Sequence, residues 1–157
     1  MSDSQMQRGA NWLRSLLELA GVPSAVQAEQ GEDSYLLTID ASGLSREEID
    51  ILIGPKGAAI DAIQYLANTI ANIGLNSEEQ ASYTIELDGY RARRWEQLQA
   101  IASAAAEQAR QTGLEIEIKD LSSAERRQVH TFFKEYTDLE TYSRGQEPDR
   151  RLVIRRL

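Results

Sequence analysis

The stretch Asp50-Ile51-Leu52-Ile53-Gly54-Pro55-Lys56-Gly57-Ala58-Ala59-Ile60-Asp61-Ala62-Ile63 places two helix-forming segments on either side of the tetrapeptide Gly54-Pro55-Lys56-Gly57. Two glycines around one cation can grip a phosphate chain. Glycine has no Cβ to hold a nucleic-acid backbone away, and a following helix offers unpaired N–H groups and a positive dipole end. A nucleotide-binding P-loop has the pattern Gly-x-x-x-x-Gly-Lys-Ser/Thr. Here Pro55 precedes Lys56 and Gly57 follows it, so that motif is absent. A helix-to-helix corner with Gly54 as C-cap is the plain alternative, and the elements around the loop have to decide.

Working outward, Ser45 and Glu48 form a capping-box pattern ahead of Ile49, Leu52 and Ile53, which predicts a short helix ending at Gly54. After Gly57, Ile60, Ile63, Leu66, Ala67 and Ile70 recur at helical spacing until Gly74. Upstream, Trp12, Leu13, Leu16, Leu17, Leu19 and Ala20 are expected on one face of a first helix, stopped by Gly21-Val22-Pro23. Residues 25–30 and 35–39 read as a hairpin around Gly31-Glu32-Asp33-Ser34, and residues 83–87 alternate as a half-buried strand. The order over residues 10–90 is therefore αββααβ.

Residues 91–157 read as a second, small α/β domain that includes the helix joining it to the first, so the chain is of the α+β class. The joining helix begins at Arg91, carries Trp95, Leu98, Ile101, Ala102 and Ala105 on one face, and stops at Gly113. Residues 114–118 alternate as a strand with one wet face. Ser122 and Glu125 repeat the capping box before a helix whose buried stripe is Val129, Phe132, Phe133 and Tyr136. Two strands, 139–143 and 151–155, complete a three-stranded sheet. Arg126 and His130 share one helix face by their i,i+4 spacing, expected away from the Val129 stripe, where they can hold a phosphate between them. Arg127, Arg144, Arg150 and Arg151 are expected to extend that surface, although any one of them reads almost as readily as a solvated or salt-bridged charge. Arg91, Arg93 and Arg94 stand at a helix start, where cations oppose the dipole. Something negative is expected beside them, either RNA or the acidic first domain.

The net charge is −8, but it is unevenly spread. Residues 1–90 hold 4 Lys and Arg against 14 Asp and Glu, giving −10, and residues 91–157 hold 13 against 11, giving +2. The chain has no cysteine and a single histidine. That removes disulfides, thiolate nucleophiles, cysteine-ligated metals and intrachain sites needing two histidines. His130 has no triad partner at a motif spacing, and no acid/base pair or hard-metal loop emerges. No catalytic residue, metal or cofactor is expected. No apolar run approaches the roughly 18 residues of a membrane span, and the polar start lacks the apolar block of a signal peptide. A soluble cytoplasmic protein without an integral membrane segment is the expectation.

The first-half order, with Gly-x-x-Gly between its last two helices, resembles a type II KH domain, and Leu52 to Asn68 looks like that family's core motif. Glu125-Arg126-Arg127-Gln128-Val129-His130, followed by Glu140-Thr141-Tyr142-Ser143 and Arg150-Arg151-Leu152-Val153-Ile154, resembles the R-3-H domain, named for its Arg-x-x-x-His pair. The two in this order, across about residues 10 to 157, resemble the bacterial Jag family, also called KhpB or EloR. That resemblance implies a non-enzymatic binder of RNA, or of single-stranded DNA, in the bacterial cytoplasm, and some Jag proteins are linked to cell elongation and division. It also implies a short form, without the N-terminal Jag domain of fuller members. Pro55 stands where the family often has a second basic residue. On this reading Gly54 and Gly57 admit the backbone of about four nucleotides, Lys56 contributes one phosphate charge and Pro55 pre-sets the turn. Ile53 and Ile60 then line an apolar groove for the bases. The competing reading is a protein-interaction adaptor whose acidic first domain docks a basic partner, such as a second small KH protein; whether the protein pairs with itself stays open.

Overall fold

In the computed structural model, which describes residues 3–157, the first sheet is centred on strand β2 (Tyr35–Ile39). Its burial alternates strictly, with Tyr35, Leu37 and Ile39 inward. Strand β1 (Val26–Gln30) pairs with it antiparallel, with Val26 opposite Ile39, and Gly31 N–H closes the hairpin on Ser34 O at 2.8 Å. Strand β3 (Tyr83–Leu87) pairs with β2 in parallel, which requires a crossover. Helices α2 (Arg46–Ile53) and α3 (Ala58–Ile70) supply it. Helix α1 (Asp3–Leu19) lays Ala10, Leu13 and Leu17 on the same core. Leu19, expected on that face, is 88% exposed. At 3.6 residues per turn it points about 200° away from Leu17. Both capping boxes form as expected, Ser45 with Glu48 and Ser122 with Glu125.

Helix α4 (Tyr90–Thr112) runs unbroken from the first compact unit, which ends at Arg91, into the second, which begins at Ala92. In the second unit Leu98, Ala102, Ala105, Ala106 and Ala109 face the core, joined by Val129 of helix α5 (Ser123–Phe132) and by Phe133 of the short 3-10 turn Phe133–Glu135. They cover a sheet of strands β4 (Ile116–Ile118), β5 (Leu139–Arg144) and β6 (Arg151–Arg156), in the order β4-β6-β5, all antiparallel. β4 is shorter than expected. Leu114, 65% exposed, is still in the turn after α4, where its N–H bonds Thr112 Oγ1 at 3.2 Å. Among the described residues no helix is long and apolar enough to cross a membrane.

The outer edge of β3 faces a helix in place of a fourth strand. Gln64 Oε1 accepts from Ile85 N–H at 2.9 Å. Asn68 both accepts from Tyr83 N–H and donates to Tyr83 O, each at 2.8 Å. Asn72 does the same for Ala81, again at 2.8 Å. The match is geometric: four helical residues rise about 6 Å and two strand residues about 6.6 Å, so amides at i, i+4 and i+8 meet alternate strand residues. An edge that would otherwise invite another strand is thereby closed. The ladder also fixes the rotation of α3. Ile60 and Ala67 turn inward, while Leu66 and Ile70, expected in the same buried stripe, are left 40% and 39% exposed. Asn68→Leu keeps the size but strands the N–H and C=O of Tyr83; it is expected to cost about 2–4 kcal/mol in urea denaturation. Tyr65→Lys, at a position 71% exposed on the same helix, should stay within about 0.5 kcal/mol of wild type.

Candidate functional site

Gly54 ends α2 as its C-cap, donating its N–H to Asp50 O at 2.8 Å. Its φ of 73° and ψ of 172° belong to a region that glycine alone enters freely, and a Cβ there would stand 2.7 Å from Ala59 N. Gly57 is buried with φ 78°, and a Cβ on it would lie 1.9 Å from the Tyr90 hydroxyl. The junction between α2 and α3 therefore demands both glycines before any ligand is considered. Pro55 and Lys56 are exposed at the tip, and Lys56 takes a left-handed φ of 54°. Ile53 and Ile60 do not line an open groove: they are 8% and 0% exposed, because their helix faces meet the sheet. A cavity of about 690 Å³ does adjoin the loop, lined by Gly54, Pro55, Ile51, Arg46, Glu47 and Asp50. Arg46 is held by Asp50 and by Asp88, each at 2.8 Å. The flank of the loop is thus acidic.

The second unit is arranged differently. Arg126 is only 5% exposed and lies beneath the surface of α5. Its Nη1 donates to Leu121 O at 2.7 Å and to Arg150 O at 3.4 Å, and its Nη2 pairs with Glu147. It ties the start of α5 to the loop between β5 and β6. Above it opens a cavity of about 280 Å³, with Arg126 as floor and Arg127, His130 and Arg150 around it. Ser123, Tyr142 and Ser143 complete the lining, and no carboxylate is among the lining residues. His130 Nδ1 lies 2.5 Å from Thr141 Oγ1, which anchors the ring to β5. Arg127 and Arg150 are exposed and, among the described residues, form no ion pair. The expected side-by-side display of Arg126 and His130 becomes a layered one, because the Leu121 carbonyl and Glu147 draw the guanidinium inward. Ser123 was not singled out from sequence, and Tyr142 and Ser143 were read only as part of the stretch Glu140-Thr141-Tyr142-Ser143, without a role at the site.

Arg144 and Arg151 do not join this pocket. In β5 and β6 they are register partners, on the face opposite Thr141 and Ile154. There Arg144 pairs with Glu115 at 2.6 Å and Glu117 at 3.2 Å, and Arg151 pairs with Glu117 at 2.7 Å and Asp149 at 2.9 Å. The guanidinium groups of Arg144 and Arg155 lie 5.4 and 5.5 Å from the centroid of the Tyr142 ring. Hydrogen bonds from Arg144 and Arg151 hold the carboxyls of Glu115 and Glu117, respectively, below the usual carboxylate range. Arg91 and Arg94 also find carboxylates: Arg91 meets Asp61 at 2.6 Å within the first unit, and Arg94 meets Glu125 at 2.7 Å within the second.

Arg126→Ala leaves the buried Leu121 carbonyl without its donor and is expected to cost about 1–3 kcal/mol in chemical denaturation. Arg127→Ala and Arg150→Ala should each change stability by less than about 0.5 kcal/mol. Acid should weaken the second unit. A carboxyl with a lowered folded pKa contributes stability above its unfolded pKa, and that contribution is lost as pH falls through the folded value. Denaturation midpoints should therefore drop on acidification below the ordinary carboxylate range, and Arg151→Met should make that dependence shallower.

Residues 96–156 match the R-3-H domain family. Across most of its length the chain is similar to curated relatives named RNA-binding protein KhpB. It is 23% identical over 152 residues to the protein of Clostridium symbiosum, covering 97% of this chain and 66% of that one. To the Bacillus subtilis (strain 168) protein it is 26% identical over 153 residues, covering 95% and 69%. To the Lactiplantibacillus plantarum protein it is 25% identical over 144 residues, covering 92% and 42%. The chain thus spans about two thirds of the length of the first two relatives and less than half of the third. The segment that carries the Arg126 and His130 pocket matches the R-3-H domain, and the chain as a whole is similar to proteins of the Jag, or KhpB, family.

Proposed function

We propose that this protein is a non-enzymatic binder of single-stranded RNA in the bacterial cytoplasm, and that its principal phosphate contact is the pocket over Arg126. The observation that carries the reading is the pairing pattern of the second unit's arginines. Arg94, Arg110, Arg126, Arg144, Arg151 and Arg155 each have a carboxylate partner, whereas Arg127 and Arg150, which flank His130, have none among the described residues. Guanidinium groups with no internal anion, beside two serine hydroxyls and a histidine, suit a phosphate oxygen. The names of the relatives and the R-3-H match support the same ligand class.

In this reading the first unit is KH-like and its loop is a weaker, positioning contact. Gly54 and Gly57 permit close approach of a sugar-phosphate backbone and Lys56 adds one charge, while Glu47 and Asp50 nearby limit the attraction. Accepting single-stranded DNA as well would follow from contacts made to phosphates alone. A second reading, that the first unit docks a protein, has one observation in its favour: Tyr65 and Ile73 are 71% and 63% exposed, with Leu66 and Ile70 beside them.

Arg127→Ala combined with Arg150→Ala is expected to weaken binding of a single-stranded RNA at least about tenfold at low salt. It should also reduce the slope of log affinity against log salt by about 0.7 for each phosphate that the variant no longer neutralises. Lys56→Asp should have a smaller effect. Unchanged affinity in the double variant would remove the pocket from the reading. Crosslinking in cells that recovers a protein on the Tyr65 face and no RNA would favour the adaptor.

A further inference from the structure

A second cavity, of about 460 Å³, adjoins the phosphate pocket and shares Arg127 with it. Trp95 of α4 forms one side, Arg127, Gln128, Thr131 and Phe132 of α5 the other, and Glu135 stands in the turn that follows. The Trp95 and Phe132 rings are perpendicular, at 84° with centroids 6.2 Å apart. They fix each other edge-on and do not stack, and Trp95 is only partly buried. The cavity is otherwise unlike its neighbour. Glu135 places a carboxylate in the wall, which repels a phosphate, while Gln128 and Thr131 offer both donors and acceptors to the edge of a flat group. An aromatic floor, a guanidinium at one side and a polar rim are what an unpaired nucleobase requires.

We infer that this cavity is a base-stacking subsite: a nucleobase of the strand whose phosphate lies over Arg126 stacks on Trp95, and Arg127 serves base and phosphate together. The inference rests on the RNA-binding reading of the pocket and adds to it a contact that phosphate chemistry alone would not use. A strand in the first cavity passes the second, because one side chain walls both. Trp95 is then a ligand-contacting residue as well as part of the α4 stripe to which its spacing assigned it.

The chain has two tryptophans, so in a Trp12→Phe background Trp95 is the sole indole. That protein is titrated with a short oligoadenylate and with an abasic sugar-phosphate chain of the same length, reading indole emission, with affinity from the anisotropy of labelled strands. Oligoadenylate should quench Trp95 saturably and the abasic chain should not. Trp95→Ala should lower affinity for oligoadenylate about tenfold and for the abasic chain by less than about twofold. Binding of oligoadenylate without quenching overturns the subsite, as does an equal loss on both ligands or an unchanged affinity in Trp95→Ala. If the wild-type chain binds neither strand, the RNA-binding reading itself falls, and the subsite with it.

Discussion

The guanidinium of Arg126 holds the second unit's surface in shape. It is buried, and a buried cation is stable only when its protons are met. Leu121 O, Arg150 O and Glu147 meet them, and these three acceptors come from segments far apart in sequence: the start of α5 and the loop that joins β5 to β6. Their union creates the pocket, because the tie through Arg126 brings Arg150 toward Arg127 and His130. The residue that names the Arg-x-x-x-His pattern therefore acts first as a scaffold, and the exposed cations it positions are the ones left to meet a ligand.

The same logic shows how the anion site proposed above is compatible with a net charge of −8. Net charge sets the far field, which salt screens beyond about 10 Å, while contact is decided by charges that lack an internal partner. On the outer face of the second sheet, Arg144, Arg151 and Arg155 are held by Glu115, Glu117, Asp149 and Glu140. Their apolar stems lie along the face that carries fully buried Val153. A cation count would enlist all of these for binding. Pairing removes these three, and leaves Arg127 and Arg150 beside His130 without a carboxylate among the described residues.

Periodicity and capping residues made most of the fold legible in sequence, because those signals are local. Ser45 with Glu48 and Ser122 with Glu125 announced both short helices, and the turn Gly31 to Ser34 before Tyr35 to Ile39 and the alternation of Tyr83 to Leu87 marked those strands to the residue. What stayed illegible was non-local. Gln64, Asn68 and Asn72 read as ordinary polar helix positions until an unpaired strand edge is placed beside them, and only then does their spacing of four acquire a partner. Leu66 and Ile70 looked like core for the same reason, since the helix turns to satisfy amides that periodicity does not weigh. At the site, the sequence placed Arg126, Arg127, His130 and Arg150 together. It could not show that Arg126 lies below, or that Arg144 and Arg151 face the other way, because both depend on acceptors more than 20 residues distant.

The tetrapeptide Gly54-Pro55-Lys56-Gly57 illustrates why a motif and a site are different claims. Both glycines are required where they stand: one by its φ and ψ beside Ala59, the other by the Tyr90 hydroxyl that fills the space of a side chain. A fold that needs glycine at a helix junction gains an open, close-approach backbone as a by-product, and a ligand can exploit it without having selected it. Substituting either glycine would therefore report on folding before binding. The exposed tip, Pro55 and Lys56, is where the two requirements separate. With Glu47 and Asp50 alongside, that tip has shape without much charge, whereas the pocket over Arg126 has charge held in shape by a buried partner.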